Sequence, residues 1–134
     1  MPHLVVLYTR QLDAECDMTA LCRALADTML AARDDDGRPV FPVGGTRVLA
    51  YPVAHHAVAD GSGDHAFAYL NLRMGRGRSE ATRRRVGEAL AATAKAHFAP
   101  LLAVRPLGLT LQIDEGPEVF DGKFGNLHPL FARP

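Results

Sequence analysis

The sequence predicts an α+β fold in which two βαβ units form a four-stranded mixed sheet with both helices on one face. Strand-like and helix-like apolar patterns follow one another in the order strand, helix, strand, strand, helix, strand. A residue suited to cap a helix N-terminus stands before each helical pattern, Asp17 in the first half and Ser79 in the second. The first and third strands begin near residues 3 and 66, so the two halves indicate a structural duplication.

The first unit consists of a strand, a helix and a second strand. Residues 3–9 form a nearly continuous apolar run of β-forming types, which predicts a buried strand. Apolar and small residues then recur at helical spacing over about 18–32. A polar loop over 33–39 contains three adjacent aspartates, which fit a solvated turn and leave a weak cation site as the alternative. A second strand is predicted over about 46–53.

The second unit repeats this order. A dense turn signal of glycine, serine and aspartate precedes a third strand over 66–74. The second helix is predicted over about 80–103, and Pro100 should kink or shorten it near its end, because proline lacks the backbone N–H that a helix uses. An alternating run over 107–113 predicts the fourth strand.

The C-terminal tail, about 118–134, lacks a strong periodicity but is rich in large apolar residues. These are Phe120, Phe124, Leu127, Leu130 and Phe131. Such a segment is too apolar for a free tail, so we expect it to pack on the body or on a neighbouring subunit. The second face of the sheet also needs cover, which oligomerisation would supply.

Length and charge narrow the classes of function. The 134 residues fit one domain, 1–134, and 15 basic and 15 acidic residues give a net charge of +0. This balance removes the general electrostatic argument for nucleic acid or an anionic membrane as partner. No apolar stretch approaches the ~20 residues that span a bilayer, and the opening run lacks a basic leader, so we expect a cytoplasmic protein. The C-x5-C spacing of Cys16 and Cys22 matches no redox or zinc motif and predicts two small buried thiols.

Pro2 is the first candidate for chemistry. If Met1 is removed after synthesis, the Pro2 nitrogen becomes a secondary amine, held in a ring at the start of a strand. An α-amine has a pKa near ~7.7–8, and an apolar pocket or nearby arginines would lower it, so the neutral amine could accept a proton from an acidic C–H or O–H group. The alternative is that proline merely starts the chain. With Met1 retained, this nitrogen would be an amide and no base.

Arginines supply the second candidate group. The loop Gly75-Arg76-Gly77-Arg78-Ser79 lies between a predicted strand and a predicted helix, where glycines let the backbone approach a ligand and the helix N-terminus offers N–H groups to an anion. The guanidinium groups of Arg76 and Arg78 suit carboxylates. Arg47 follows a Gly-Gly turn and could point into the same pocket. Solvated arginines are the alternative at each position. A base among arginines predicts proton transfer on a small carboxylate substrate.

Two other interpretations have weaker support. Six arginines could touch nucleic acid, but no aromatic stacking motif accompanies them, and a solvated helix face explains them as well. They are Arg73, Arg76, Arg78, Arg83, Arg84 and Arg85. The six histidines are scattered without an HxH or HExxH motif, so no metal site is predicted.

Seven short segments, spread over nearly the whole chain, occur together in one known family. They are Met1-Pro2-His3, Phe41-Pro42-Val43-Gly44-Gly45, Ala59-Asp60-Gly61, Asp64-His65-Ala66-Phe67, Gly75-Arg76-Gly77-Arg78-Ser79, Lys95-Ala96-His97-Phe98-Ala99 and Asn126-Leu127-His128-Pro129-Leu130-Phe131. In this combination the chain resembles the 5-carboxymethyl-2-hydroxymuconate isomerases of the tautomerase superfamily.

The resemblance implies a tautomerase-like fold assembled as a homotrimer, and an isomerase that needs no cofactor. Members convert a dienol di- or tricarboxylic acid to its conjugated oxo-enoate in aromatic-acid breakdown. By position, Pro2 would act as general base and then acid, and Arg78 would bind a substrate carboxylate or the developing enolate. Arg47 matches the family's other arginine. The family usually has a longer stretch with two arginines at this place, and the stretch Thr46-Arg47 is shorter. A non-catalytic trimer that binds small anions on the same scaffold is the alternative.

Overall fold

The computed structural model describes residues 2–132, and each of its main elements lies within two residues of the predicted bounds. In chain order they are β1 (His3–Thr9), α1 (Met18–Ala31), β2 (Arg47–Val53), β3 (Ala66–Met74), α2 (Glu80–Leu102) and β4 (Leu107–Glu115). None of the helices within the described range is long and apolar enough to cross a membrane.

The four strands form one mixed sheet in the order β2-β1-β3-β4. β1 runs parallel to β2 and antiparallel to β3, and β3 runs parallel to β4. Each parallel pair is joined through one helix, as expected for a βαβ unit. The predicted α+β architecture of two such units is confirmed.

One core lies between the sheet and the two helices. Alternate residues of β1 and β3 point toward the helices and are buried, because side chains alternate between the faces of a strand. A hydrogen bond of 2.7 Å between the hydroxyl groups of Thr28 and Thr93 links α1 to α2. The largest fully buried side chains include Phe41, Phe98, Leu4, Leu21, Leu70 and Leu90.

Residues 2–132 leave the opposite face of the sheet uncovered. Leu7, Leu49 and Tyr51 point to that side and are 40%, 44% and 49% exposed. Large apolar side chains of the tail are still more open, with Phe120 85% and Phe124 97% exposed. Burying such surface is favourable in water, so both regions offer area to a neighbouring chain.

The predicted helix caps are confirmed. The Asp17 carboxylate accepts a hydrogen bond of 2.9 Å from the backbone N–H of Ala20, which satisfies one of the free donors at the start of α1. The Ser79 hydroxyl accepts one of 3.1 Å from the backbone N–H of Thr82. Helix α2 ends two residues after Pro100, which lies in its last turn.

Three short 3-10 turns were not predicted: Arg10–Ala14, Val43–Gly45 and His128–Phe131. The last two pack against each other and attach part of the tail to the body. Gly44 allows this contact, because a Cβ atom there would lie 2.9 Å from the Cα of His128, closer than Cβ atoms approach other atoms.

Candidate active site

A cavity of about 330 Å³ opens at the start of β1. Four parts of the chain contribute to it: the start of β1, the segment before β2, the end of β3 with the loop that follows, and the C-terminal tail. Its lining residues are Pro2, Phe41, Pro42, Met74, Gly75, Arg78, Glu118, Asp121, Lys123 and His128.

The sheet topology explains why these parts meet. β1 and β3 are antiparallel with His3 opposite Arg73, so the start of β1 and the end of β3 lie at the same edge of the sheet. β2 is parallel to β1 and begins beside it, which brings the preceding segment with Phe41 to that edge. The cavity therefore forms where two strand starts and one strand end converge.

Pro2 lies buried in the wall of this cavity. Two apolar side chains stand in the same wall, Phe41 at 2% exposure and Met74 at 1%. Met1, on whose removal the predicted amine depends, lies outside the described residues.

Arg78 lines the same cavity as Pro2, and no other arginine among residues 2–132 does so. Its Nη2 donates a hydrogen bond of 2.7 Å to the Val40 carbonyl, and its Nη1 donates one of 3.2 Å to the Gly75 carbonyl. These backbone acceptors hold the half-buried guanidinium in place and neutralise none of its charge. The positive charge therefore remains available to an anion in the cavity.

Arg76 lies two residues before Arg78, but it does not line this cavity. Its Nε donates a hydrogen bond of 2.8 Å to the Gly116 carbonyl, and it is exposed rather than part of the cavity wall. Gly77 between the two arginines has a φ of 108°, which L side chains rarely adopt and which lets the loop turn.

Arg47 begins β2 opposite His3 and lines a different cavity of about 690 Å³. That cavity is mainly apolar, with Val43, Leu49 and Phe131 among its lining residues. Within this chain, the structure thus brings Pro2 and Arg78 together, and it places Arg76 and Arg47 elsewhere.

The tail contributes four polar residues to the Pro2 cavity that were not among the predicted site residues. They are Glu118, Asp121, Lys123 and His128. Lys123 forms an ion pair of 3.2 Å with Asp121. The signal that could have found them is the presence of several charged side chains in an otherwise apolar tail.

The arginines of α2 are occupied by carboxylates of this chain. Arg83 pairs with Glu115 at 2.5 Å, and Arg85 pairs with Asp35 at 2.9 Å. These contacts give Arg83 and Arg85 a structural role, because each of the two cations already faces an anion. They weaken the interpretation of this helix as a nucleic-acid surface.

The cysteines do not form a redox or metal site. Cys16 and Cys22 are both free and half-buried, and burial raises the pKa of each thiol, so neither is an activated thiolate. Across residues 2–132, no group of three or more His, Cys, Asp or Glu side chains is arranged to hold a metal ion.

Comparison with known proteins gives consistent matches over nearly the full chain. A protein-family model described as 5-carboxymethyl-2-hydroxymuconate isomerase matches residues 2–131. The 5-carboxymethyl-2-hydroxymuconate Delta-isomerase of Escherichia coli is 33% identical over 131 residues, which cover 98% of this chain and 99% of the relative.

Solved structures agree with the sequence matches. A crystal structure of a 5-carboxymethyl-2-hydroxymuconate delta-isomerase is 62% identical, with a TM-score of 0.96 over 100% of this chain and 95% of the other. A 5-carboxymethyl-2-hydroxymuconate isomerase from Deinococcus radiodurans R1 is 38% identical, with a TM-score of 0.87 over 98% of this chain and 95% of the other. At 19% identity, a fused 4-OT protein described as a symmetric trimer shares the fold, with a TM-score of 0.57 over 96% of this chain and 97% of the other.

Proposed function

Because this chain belongs to the 5-carboxymethyl-2-hydroxymuconate isomerase family, we propose that it is a cofactor-independent isomerase of unsaturated 2-hydroxy di- or tricarboxylic acids. Its substrate would be 5-carboxymethyl-2-hydroxymuconate or a close analogue formed during the breakdown of aromatic acids. The observation that supports this proposal is the position of Pro2 beside Arg78 in one cavity.

The base in this proposal is the Pro2 nitrogen, freed by removal of Met1. Two features of the cavity favour its neutral form. The nearly buried side chains of Phe41 and Met74 offer little solvation to an ammonium ion, and the Arg78 cation disfavours a second positive charge. Since the proline ring restricts rotation, the nitrogen lone pair keeps one orientation relative to the cavity.

The proposed reaction consists of two proton transfers. Pro2 accepts the proton of the substrate 2-hydroxyl group, which leaves a dienolate and a prolinium ion. The Arg78 guanidinium stabilises the negative charge of the dienolate. Prolinium then donates its proton to the distal carbon of the conjugated system, which gives the 2-oxo-enoate and restores the neutral amine. Since no electrons leave the substrate, the chemistry requires no redox cofactor.

We also propose that the protein, as one tautomerase-like domain, assembles as a homotrimer. The uncovered sheet face with Leu7, Leu49 and Tyr51, and the exposed tail phenylalanines, offer the apolar surface that such an assembly buries. A trimeric 4-OT structure with the same fold supports this number of subunits. Sedimentation equilibrium should give a mass of three chains.

A cytoplasmic location completes the proposal. Cys16 and Cys22 are unpaired, and thiols of this kind persist in a reducing compartment. Fractionation of the native host should recover the activity with soluble cytoplasmic markers.

The decisive variant for the reaction is Pro2→Ala, assayed with 5-carboxymethyl-2-hydroxymuconate. Exchange of the rigid ring amine for a freely rotating primary amine should lower kcat/KM by roughly 100-fold or more, because the base is no longer held in one orientation. Circular dichroism should remain unchanged, because the substitution is small and terminal. Pro100→Ala in the last turn of α2 is the matched control and should keep wild-type rates.

The alternative, a non-catalytic protein that binds small anions, makes a different prediction. Wild-type protein would then bind the tricarboxylate in a calorimeter but would not isomerise it. Full activity of Pro2→Ala would show that the proline ring is not required, and full activity of protein that retains Met1 would rule out the Pro2 nitrogen as the base.

A further inference from the structure

We propose that Lys123 binds a second carboxylate of the substrate, on the side of the cavity formed by the C-terminal tail. The inference rests on the proposed isomerase function and extends it to substrate selection. Arg78 would hold the carboxylate or enolate end near Pro2, and Lys123 would favour acids that carry a further carboxylate over those that carry one.

The first argument is the placement of Lys123. It lines the same cavity as Pro2 and Arg78, although it is 45 residues from Arg78 in the sequence. Its side chain is 52% exposed, so solutes can reach it. A cavity of about 330 Å³ with one cation on the β3 loop and another on the tail suits a small molecule with anionic groups at separate points.

The second argument concerns charge on the tail side. Glu118 and Asp121 also line the cavity, and their carboxylates would repel a second anionic group of the substrate. Lys123 offsets this repulsion and forms an ion pair of 3.2 Å with Asp121. Half-exposed ion pairs contribute little free energy. The Lys123 ammonium can therefore bind a substrate carboxylate in place of Asp121, or together with it, at small cost.

The third argument is the attachment of the tail segment on both sides of Lys123. Before it, the backbone N–H of Gly116 donates a hydrogen bond of 3.3 Å to the carbonyl of Met74, another residue of the cavity wall. After it, the backbone of His128 packs against Gly44. The segment 117–127 is therefore held across the cavity at both ends, which keeps Lys123 within reach of a bound molecule.

The experiment compares two substrates and three variants. 5-Carboxymethyl-2-hydroxymuconate carries three carboxylates, and phenylenolpyruvate carries one. The variants are Lys123→Met, Lys123→Arg, and Lys95→Met as the matched control, because Lys95 is the other lysine of the chain and is exposed on α2. KM, kcat and calorimetric Kd are measured for each combination of protein and substrate, at low and at high salt.

For Lys123→Met we expect KM and Kd for the tricarboxylate to rise about five- to tenfold, with kcat little changed, because a charge-assisted contact that holds substrate and transition state alike is lost. The values for phenylenolpyruvate should stay within about twofold. Lys123→Arg should retain most of the affinity and Lys95→Met all of it. Added salt should weaken tricarboxylate binding less in Lys123→Met than in wild type.

An unchanged tricarboxylate Kd in Lys123→Met, or an equal loss for both substrates, would overturn the inference while leaving the isomerase proposal intact. Absence of wild-type turnover with either acid would instead overturn the proposed function. The calorimetric Kd still tests Lys123 in that case, because it does not depend on turnover.

Discussion

Arg78 donates a hydrogen bond of 2.7 Å from its Nη2 to the backbone carbonyl of Val40, which lies 38 residues earlier in the chain. Val40 is buried at 4% exposure, in the segment that leads toward β2. A second hydrogen bond, of 3.2 Å, reaches the carbonyl of Gly75 in the loop that carries Arg78. The guanidinium beside Pro2 thus depends on both βαβ units for its position.

This relationship predicts that lysine cannot replace Arg78. A single ammonium group lacks the planar fork that can hold two backbone carbonyls and still face an anion. We expect Arg78→Lys to lower kcat/KM by about 100-fold, comparable to loss of a donor that stabilises an oxyanion. Steady-state kinetics with the tricarboxylate measures the effect. Arg84→Lys, at a 69% exposed position on α2, is the control and should keep wild-type activity.

Asp35 is predicted to stabilise the protein in a pH-dependent manner. The hydrogen bond from Ser79 contributes most to holding the pKa of its carboxyl below the usual range. Hydrogen bonds from Arg85 and Thr82 lower this pKa further. A group whose pKa is lowered on folding stabilises above its unfolded pKa, about 3.9, and loses that contribution as the pH falls through the folded pKa. Asp35→Asn should therefore lower Tm at pH 7 by ~1–2 °C, with the difference vanishing in acid.

The control for this prediction is the adjacent Asp36→Asn, because Asp36 is an exposed residue of the same loop. Its Tm should follow that of wild type from pH 7 to pH 3. A constant Tm difference between Asp35→Asn and wild type over that range would show that the hydrogen-bonded carboxylate is not the source of the effect.

Gly44 is predicted to be indispensable for docking the tail. The Cβ atom of Gly44→Ala would lie 2.9 Å from the Cα and 3.2 Å from the N of His128, and these backbone atoms cannot rotate away. We expect the tail to separate from the Val43–Gly45 turn, at a cost of about 1–3 kcal/mol typical of overpacking. Trypsin should then cleave after Lys123 about tenfold faster.

Gly125→Ala provides the comparison, because no atom lies within 4 Å of the position that its Cβ would take. Its tryptic cleavage should match wild type. If trypsin cleaves after Lys123 at the same rate in Gly44→Ala as in wild type, the tail is held by contacts other than the one at Gly44.

The fold could be read from the sequence because its elements have strong local signals. β1 and β3 are dense apolar runs bounded by polar residues, and Asp17 and Ser79 cap the helices through side-chain bonds to their own first turns. Such signals depend only on neighbours in the chain. The 3-10 turns at Val43–Gly45 and His128–Phe131 lack this property, because they are stabilised by contact with each other.

The site was predictable only in part. Pro2 could be singled out by the chemistry of its nitrogen, and Arg78 was one of three candidate arginines that only the family resemblance set apart. The strand order then brings Pro2 and Arg78 to one edge. Spacing alone could not separate Arg76 from Arg78, because the turn at Gly77 and the bond from Arg76 to Gly116 decide their directions. Lys123 was missed because its place depends on long-range attachment of a tail without periodicity.

The most direct test of the central claim is a 15N NMR titration of the native-host protein labelled with 15N-proline. The chain contains nine prolines, and only a prolyl nitrogen freed of Met1 is an amine that can titrate. We predict one titrating resonance, with a midpoint below the ~7.7 of an ordinary α-amine. A spectrum in which no proline nitrogen titrates, or in which the midpoint lies at or above that value, would contradict Pro2 as the neutral base.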